Sequence, residues 1–508
     1  MRRLQSALLL LAALLLAGCP RAARPAEAPA PTQATFSQAA DQLFASLEAE
    51  GAMTSVLVMD AQTGAPLYSR REHGRSLPAS TMKVVSTAAA LSALGPDFRF
   101  RTPVQLSGSR QGELFDGELI VEASGDPSLG SWRFPETAPA CEQIAEAMWG
   151  RGIRKWRGAV RVVSPDTGMD GPLGPGWAWD DVAYFMSAAP MPFVFRENAV
   201  DFSLLRAEGA PCSAQPKVHV TPRFAEFPAV VELNTAGPGP GFACLREQNP
   251  SRTRCMWRST ARVCPRAQST RLTVDDPRAF FSACVEDALA RRGIARLPSP
   301  QVAREPAPRP KAAVTELLTE LVSPSLAALV KETNKDSNNL YAERLALRFA
   351  RERVGAEDYQ ALRKAMSAEL TRRGISSRDL RPIDGSGLSR YNLATARGLA
   401  QVLFTSLKEP YGQVLLESLP IAGIDGTLGG QALSSEALAR VRAKTGTLSS
   451  QKAYVGVAER PHDPEHPRVV FSLMMGNMDE QPAISAVGAF SQFAEALTQL
   501  PLGPSRPR

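Results

Sequence analysis

The chain has no H-E-x-x-H, no EF-hand loop and no G-x-G-x-x-G, so no metal or nucleotide cofactor is implied. Its glycine-rich stretches lack the G-x-x-x-x-G-K-[ST] order of a phosphate cradle. Seven cysteines include no C-x-x-C pair, and of the four histidines only His219 lies near the cysteine-rich region. That disfavours zinc as their purpose. The formal net charge of +7 has no long Lys/Arg block behind it, which argues for a mildly basic surface and against a nucleic-acid site. No internal repeat is apparent. The apolar run Ala7–Ala17 is too short to span a bilayer comfortably.

What that run does fit is the core of an export signal. Arg2 and Arg3 precede it and Gly18-Cys19 closes it. Leu16-Ala17-Gly18-Cys19 resembles a bacterial lipobox, with residues 1–18 removed and Cys19 lipidated, acyl chains then supplying membrane affinity. An ordinary cleaved signal with an incidental cysteine is the alternative. Residues 19–35 are Pro/Ala-rich and read as an extended tether. Six cysteines remain, Cys141, Cys212, Cys244, Cys255, Cys264 and Cys284. An exported chain permits them to form disulfides, whose pairing spacing alone leaves open.

At 508 residues, with 44% hydrophobic and 21% charged, the chain suits two to four soluble domains. Folded sequence is expected from Phe36, as a helix to about Glu50, a strand at Thr54–Asp60 and a hairpin partner near Leu67-Tyr68. Next comes Pro78-Ala79-Ser80-Thr81-Met82-Lys83 and a small, apolar run to Leu91, which reads as a helix buried on most sides. From about 98 to 311 short strand-like runs dominate, with a tight turn expected at Asp116-Gly117 and helices at Cys141–Trp149 and Pro277–Arg292. The Pro-rich stretch Leu297–Pro310 reads as a return crossing. Helix periodicity is expected again over Val314–Val322, Ser325–Asn334 and Leu340–Arg353. Tyr454–Ala458 and Val469–Met475 read as neighbouring antiparallel strands, and Ile484–Leu497 as a final helix. The expected organisation is one α/β core in two segments, 36–97 and 312–508, around a mostly β module of two parts at 98–311.

Three stretches carry chemistry. Ser80 and Lys83, three apart at a helix start, share one face, which places a nucleophile beside its own base. A surface Ser and Lys at a common spacing is the plain alternative. Ser337-Asn338-Asn339 falls on a turn between two helical runs, and Lys444-Thr445-Gly446-Thr447 leads into the Tyr454 strand. In the order S-x-x-K, S-x-N, K-T-G they resemble the active-site signature of penicillin-binding proteins and serine β-lactamases. The middle residue is Asn338 where the usual form has aspartate. The 257 positions from Ser80 to Ser337 resemble the class C low-molecular-mass penicillin-binding proteins, the D-alanyl-D-alanine carboxypeptidase/endopeptidase family. Gly125–Leu129, Gly176–Asp181, Asp384–Ser389 and Leu419–Leu428 resemble that family too. Tyr184–Asn198 fits it loosely, and Cys212–Cys264 matches no pattern of it.

The resemblance implies a transpeptidase-like core with Ser80 as acylated nucleophile. Lys83 would be its base, which requires a neutral amine although free lysine titrates near 10.4. Burial and a neighbouring Lys444 would lower it. Ser337 would relay a proton to the leaving amine, and Asn339 would hold substrate backbone or Lys83. Lys444, Thr445, Gly446 and Thr447 would bind the substrate's terminal carboxylate, and the N–H groups of Ser80 and Thr447 would form the oxyanion hole. The turns at Asp384–Gly387 and Ile424–Thr427 are expected to border the cleft. The implied substrates are peptidoglycan stem peptides, with β-lactams as covalent inhibitors and the membrane met through Cys19. The split between carboxypeptidase and endopeptidase, the deacylating base and the oligomeric state stay open. A turnover-deficient penicillin-binding sensor, and a β-lactamase or esterase on the same core, are the competing readings. Pro20 in place of an aspartate after Cys19 points towards the outer membrane.

Overall fold

The computed structural model describes residues 35–164, 173–225, 227–234, 241–248, 251–258, 265–298, 314–478 and 485–502. The export signal, Cys19, the tether up to residue 34, Cys264 and all of the Pro-rich crossing after Pro298 lie outside them.

Helix α1 (Phe36–Ala49) opens on a capping box in which Thr35 and Gln38 satisfy each other's backbone N–H. The hairpin β1 (Met53–Asp60) and β2 (Pro66–Arg70) leads to α2 (Met82–Leu94), buried at every residue from Met82 to Leu91. Small side chains suit that position, because neighbouring helices approach it from several sides.

Between the segments of the core lies a β-rich region. Strands β3 (Arg101–Gln111) and β4 (Leu114–Glu122) form a hairpin, followed by α3 (Ala140–Gly150), β5 (Lys155–Arg157) and β6 (Val160–Val163). Strands β7 (Ala199–Leu205), β8 (Lys217–Thr221), β9 (Ala229–Asn234), β10 (Gly241–Gln248), β11 (Ser251–Arg258) and β12 (Ala267–Thr273) come next, then α4 (Pro277–Arg291), β13 (Ala295–Arg296) and β14 (Val314–Val322). One sheet has the order β13-β5-β4-β3-β14, with β6 also on β4. Two three-stranded sheets, β12-β7-β8 and β10-β11-β9, make the second part. Disulfides join Cys141 on α3 to Cys284 on α4, and Cys244 to Cys255 across the β10–β11 ladder. Cys212 is disulfide-bonded as well.

Two expectations fail here. Val314–Val322 is a strand, antiparallel to β3 with Val322 opposite Arg101. Its Leu/Glu content favours a helix, but the open edge of β3 offers a ladder, shifted in register at Leu318, and burial for Leu318 and Leu321, and pairing overrides propensity. The β3–β4 turn falls at Gly112-Glu113, since Gln111 faces Leu114. Asp116-Gly117 is mid-strand instead. Gly117 lies against Gly108, where a Cβ would come within 2.6 Å of the facing Cα, so that position takes glycine for close approach.

The chain then runs through α5 (Leu326–Lys335), α6 (Asn339–Val354), α7 (Tyr359–Arg372), α8 (Ala396–Leu407), α9 (Gly412–Ser418), β17 (Val441–Leu448), β18 (Gln451–Glu459), β19 (Arg468–Gly476) and α10 (Ala486–Gln499), with the two-residue pair β15 (Leu380–Arg381) and β16 (Leu393–Ala394) before α8. The core sheet is antiparallel with order β17-β18-β19-β1-β2, so strands from both chain ends interleave. Both its faces are covered. Val56, Val58, Tyr454 and Phe471 pack under α1 and α10 with Phe36, Phe44, Phe490 and Phe493. Leu57, Met59, Val455 and Met474 pack against the body formed by α2, α6 and α8. Strict alternation along β1 and β19 thus feeds two cores at once.

Candidate active site

Ser80 does not begin the α-helix itself. Pro78 precedes a 3-10 turn, Ala79–Thr81, which runs directly into α2. Residues three apart eclipse one another on such a turn, so Ser80 and Lys83 still meet, with Lys83 Nζ 2.8 Å from Ser80 Oγ. Ala79 takes a φ of +47°, a sparsely populated conformation for a residue with a Cβ. The edge strand β17 braces the turn. A Cβ on Gly446 would fall 2.6 Å from Pro78 O and 3.0 Å from Ser80 N, so the glycine of K-T-G lets two backbones touch.

Lys83 has no solvent exposure. Besides Ser80, its amine donates to Asn339 Oδ1 at 2.5 Å and to Ser386 O at 2.8 Å. Asn339 is the first residue of α6 and turns its Nδ2 to Met186 O at 2.7 Å. Ser337 lies on the turn before α6 at a φ of +57°, and its Oγ accepts from Lys444 Nζ at 3.0 Å. Lys444 is fully buried on β17 and also donates to Thr445 O at 2.8 Å. Along the same strand, Thr445 Oγ1 is 2.7 Å from Thr427 Oγ1, and Lys452 Nζ donates to Thr447 Oγ1 at 2.6 Å. A cavity of about 460 Å³ opens here, lined by Ser80, Ser337, Asn339, Thr427, Thr445 and Thr447 among others. All eight residues singled out between Ser80 and Thr447 therefore gather on one cleft. A larger hollow of about 690 Å³ near Arg460 and His466 contains none of them.

Burial pushes Lys83 down to about 7, against the opposing charges of Asp384 and Glu343. Burial also drives Lys444 well below the ordinary lysine range, and the charge of Lys83 adds to that. Two ammonium groups in one dry cleft repel, and that repulsion falls on Lys444; the neutral amine beside Ser80 rests on the burial of Lys83 itself.

Several supporting groups carried no distinct signal of their own. Glu343 is a wholly buried carboxyl in α6 that accepts from the N–H of Gly385 and Ser386. Burial, then the charge of Asp384, pushes it up to about 8. Asp384 gathers the N–H groups of Gly387 and Ser389, Asn392 Nδ2 and the Trp177 indole. These contacts aim Ser386 O at Lys83, so the Asp384–Gly387 turn does more than border the cleft. Lys335 holds Asp425 at 2.6 Å and Leu419 O at 2.7 Å, which pins the Ile424–Thr427 turn and Thr427 with it. Glycine-rich turns hinted at both places. Nothing in the helical pattern of α6 distinguished Glu343 from a surface glutamate.

This arrangement suits acyl transfer by a serine nucleophile. Comparison with known proteins agrees. A family model described as D-Ala-D-Ala carboxypeptidase 3 (S13) matches residues 36–497. A D-alanyl-D-alanine carboxypeptidase of Actinomadura sp. (strain R39) is 31% identical over 423 residues, covering 81% of this chain and 76% of the relative. The D-alanyl-D-alanine carboxypeptidase DacB of Haemophilus influenzae is 27% identical over 387 residues, covering 73% and 75%. The crystal structure of penicillin binding protein 4 (dacB) from Haemophilus influenzae superposes with a TM-score of 0.73 at 23% identity, over 90% of this chain and 98% of that one.

Proposed function

The chain belongs to the D-Ala-D-Ala carboxypeptidase 3 (S13) family, and we propose that it works as a serine DD-peptidase on peptidoglycan stem peptides through an acyl-enzyme on Ser80. The observation that carries this reading is the buried Lys83 amine, 2.8 Å from Ser80 Oγ.

In the proposed sequence the substrate's terminal carboxylate settles against Thr445 and Thr447, and its charge restores a proton to Lys444. Neutral Lys83 takes the Ser80 proton as Oγ attacks the carbonyl carbon of the penultimate D-alanine. The N–H groups of Ser80 and Thr447 hold the oxyanion. As the C–N bond breaks, Ser337 relays to the departing amine, the terminal D-alanine, the proton that Lys83 took from Ser80. Water then attacks the acyl carbon and frees Ser80. The same chemistry opens a cross-link when the leaving amine is a diaminopimelate side chain. A β-lactam carbonyl enters by the same attack, but its amine stays tethered, so the adduct persists.

Ser80, Lys83 and Ser337 are the catalytic residues of this proposal; Asn339, Lys444, Thr445, Gly446 and Thr447 shape substrate binding. Export and lipidation at Cys19, with the chain held at the periplasmic face and residues 19–35 as tether, fit a wall substrate. The division into 36–97, 98–311 and 312–508 belongs to the same proposal, with β14 (Val314–Val322) at the start of the last segment joining the sheet of the intervening region.

Intact-mass spectrometry tests it on the protein and a Ser80→Ala variant, each incubated with penicillin and with a peptide ending in D-alanyl-D-alanine. The expected result is one drug adduct on the parent only, with D-alanine released. An adduct on both proteins, or on neither, rules out Ser80 as the nucleophile. An adduct without release favours a sensor or a strict cross-link endopeptidase.

A further inference from the structure

Against the residue that follows Ser337 sits a buried carboxylate that the reaction above does not use. Arg196, Glu197 and Asn198 hold three successive left-handed conformations, with φ of 49°, 54° and 51°. Such conformations persist in residues other than glycine only where the surroundings enforce them. Here Asn198 accepts from Phe195 N and donates to Ala189 O, while Arg196 N donates to Leu129 O. The outcome is a Glu197 side chain with no solvent exposure, aimed into the core.

Four donors converge on it. Ser131 Oγ at 2.6 Å, Arg133 Nε at 2.9 Å and Tyr341 OH at 3.2 Å reach Oε1, and Asn338 Nδ2 at 2.9 Å reaches Oε2. Arg133 also grips Asp336. The residues on both sides of Ser337 are thus tied to the region between the two core segments, Asp336 by way of Arg133 and Asn338 by way of Glu197. Ser337 between them carries a left-handed backbone that its own sequence does not favour.

We propose that Glu197 is a positioning residue for the Ser337–Asn339 turn and is matched to Asn338, the residue that stands where S-D-N sites carry aspartate. Asn338 performs two tasks with one amide. Its Oδ1 caps α6 by accepting from Tyr341 N at 3.1 Å, and its Nδ2 faces the Glu197 carboxylate. Aspartate caps equally well but offers no donor, and it would set a second carboxylate oxygen against the first. The amide is therefore what this buried acid requires. The inference rests on the acyl-enzyme reading of Ser80 and Ser337.

The test is the acylation rate constant at saturating penicillin, with melting temperature and circular dichroism, for the parent, Asn338→Asp, Glu197→Gln, their double variant and Ser80→Ala. Asn338→Asp is expected to lower acylation about 100-fold, the scale of a misplaced catalytic group. Glu197→Gln, which turns an amide N–H₂ on Asn338, is expected to lose about tenfold by the same misplacement. The double variant restores a donor–acceptor pair with reversed polarity and should acylate faster than either single one. Because Ser337 acts on bound substrate, the loss falls on the rate constant and leaves the penicillin concentration for half-saturation near the parent's. Folded single variants that acylate at the parental rate overturn the inference, as does a double variant no faster than Asn338→Asp. Should Asn338→Asp not fold, recovery of folding and acylation in the double variant supports it, and their absence overturns it. A parent without an adduct overturns the functional reading first, and this inference with it.

Discussion

Acylation of Ser80 should follow the loss of a proton from Lys83. Burial brings that amine to about 7, so its neutral fraction is about one in eleven at pH 6, one half at pH 7 and ten in eleven at pH 8. The second-order acylation constant should rise about tenfold from pH 6 to pH 8 and then level off. An ordinary lysine is neutral in about one molecule in 2,500 at pH 7, so desolvation supplies a gain on the order of 10³ in active base. The fold carries a matching cost. The native amine lies below its unfolded value, so the unfolded chain binds more protons between about pH 7 and 10.5. Stability from this group alone therefore rises with pH across that window. The full penalty, about 5 kcal/mol at 1.36 kcal/mol for each tenfold step, applies below pH 7. Stopped-flow acylation with a chromogenic β-lactam between pH 5.5 and 9 reads the profile. Lys83→Arg, which keeps the charge but cannot release the proton, should lose 10²–10⁴-fold at every pH. A flat profile, or one that climbs only towards pH 10, would falsify the assignment of neutral Lys83 as the base.

Three further outcomes follow from other parts of the molecule. Lys444→Ala should lower kcat/KM for a peptide with a free terminal carboxylate by about 10²-fold, the scale of a lost charge-assisted hydrogen bond, and far less for its carboxamide; equal losses on both would place the carboxylate elsewhere. At Glu369, burial pushes the carboxyl up, yet hydrogen bonds and charge from Arg372 and Arg373 outweigh it and bring it down to about 2. Glu369→Gln should cost about 1–3 kcal/mol at pH 7, and the gap in melting temperature to the parent should close as pH falls from about 4 towards 2, where the native carboxylate takes up its proton; a gap that persists at pH 2 points to packing. Replacing Cys141 and Cys284 by alanine opens a bridge between residues 143 apart and should cost about 2–4 kcal/mol of stability. Penicillin acylation per folded molecule should not change, because α3 and α4 carry none of the groups at Ser80; a slower rate in the folded fraction would tie that bridge to the site.

Much of the proposed catalytic machinery is legible along the chain because it is local. Ser80 and Lys83 are three residues apart, and Lys444, Thr445 and Thr447 share one strand, so covalent spacing alone brings them near one another. Short, nearly continuous apolar runs betray β1, β18 and β19, since a sheet buried on both faces needs apolar side chains on each. The same reasoning fails for Val314–Val322, where Leu and Glu favour a helix and only the edge of β3, more than 200 residues earlier in the chain, makes a strand. It fails for Asp116-Gly117 too, where the glycine answers to Gly108 across the ladder and not to a turn.

Residue types, their order and their spacing determined which side chains are equipped for acyl transfer, and local periodicity determined most of the helices and strands that carry them. Only the tertiary structure decided the state in which they work. Folding takes Lys83 out of water, sets Ser386 O and Asn339 against it, and brings Lys444 to Ser337 across 107 positions. It also carries Glu197 from the β-rich region to the residue that follows Ser337. A proton's affinity and a backbone's handedness depend on solvent exclusion and on neighbours remote in the chain, and neither is written in any short stretch of residues.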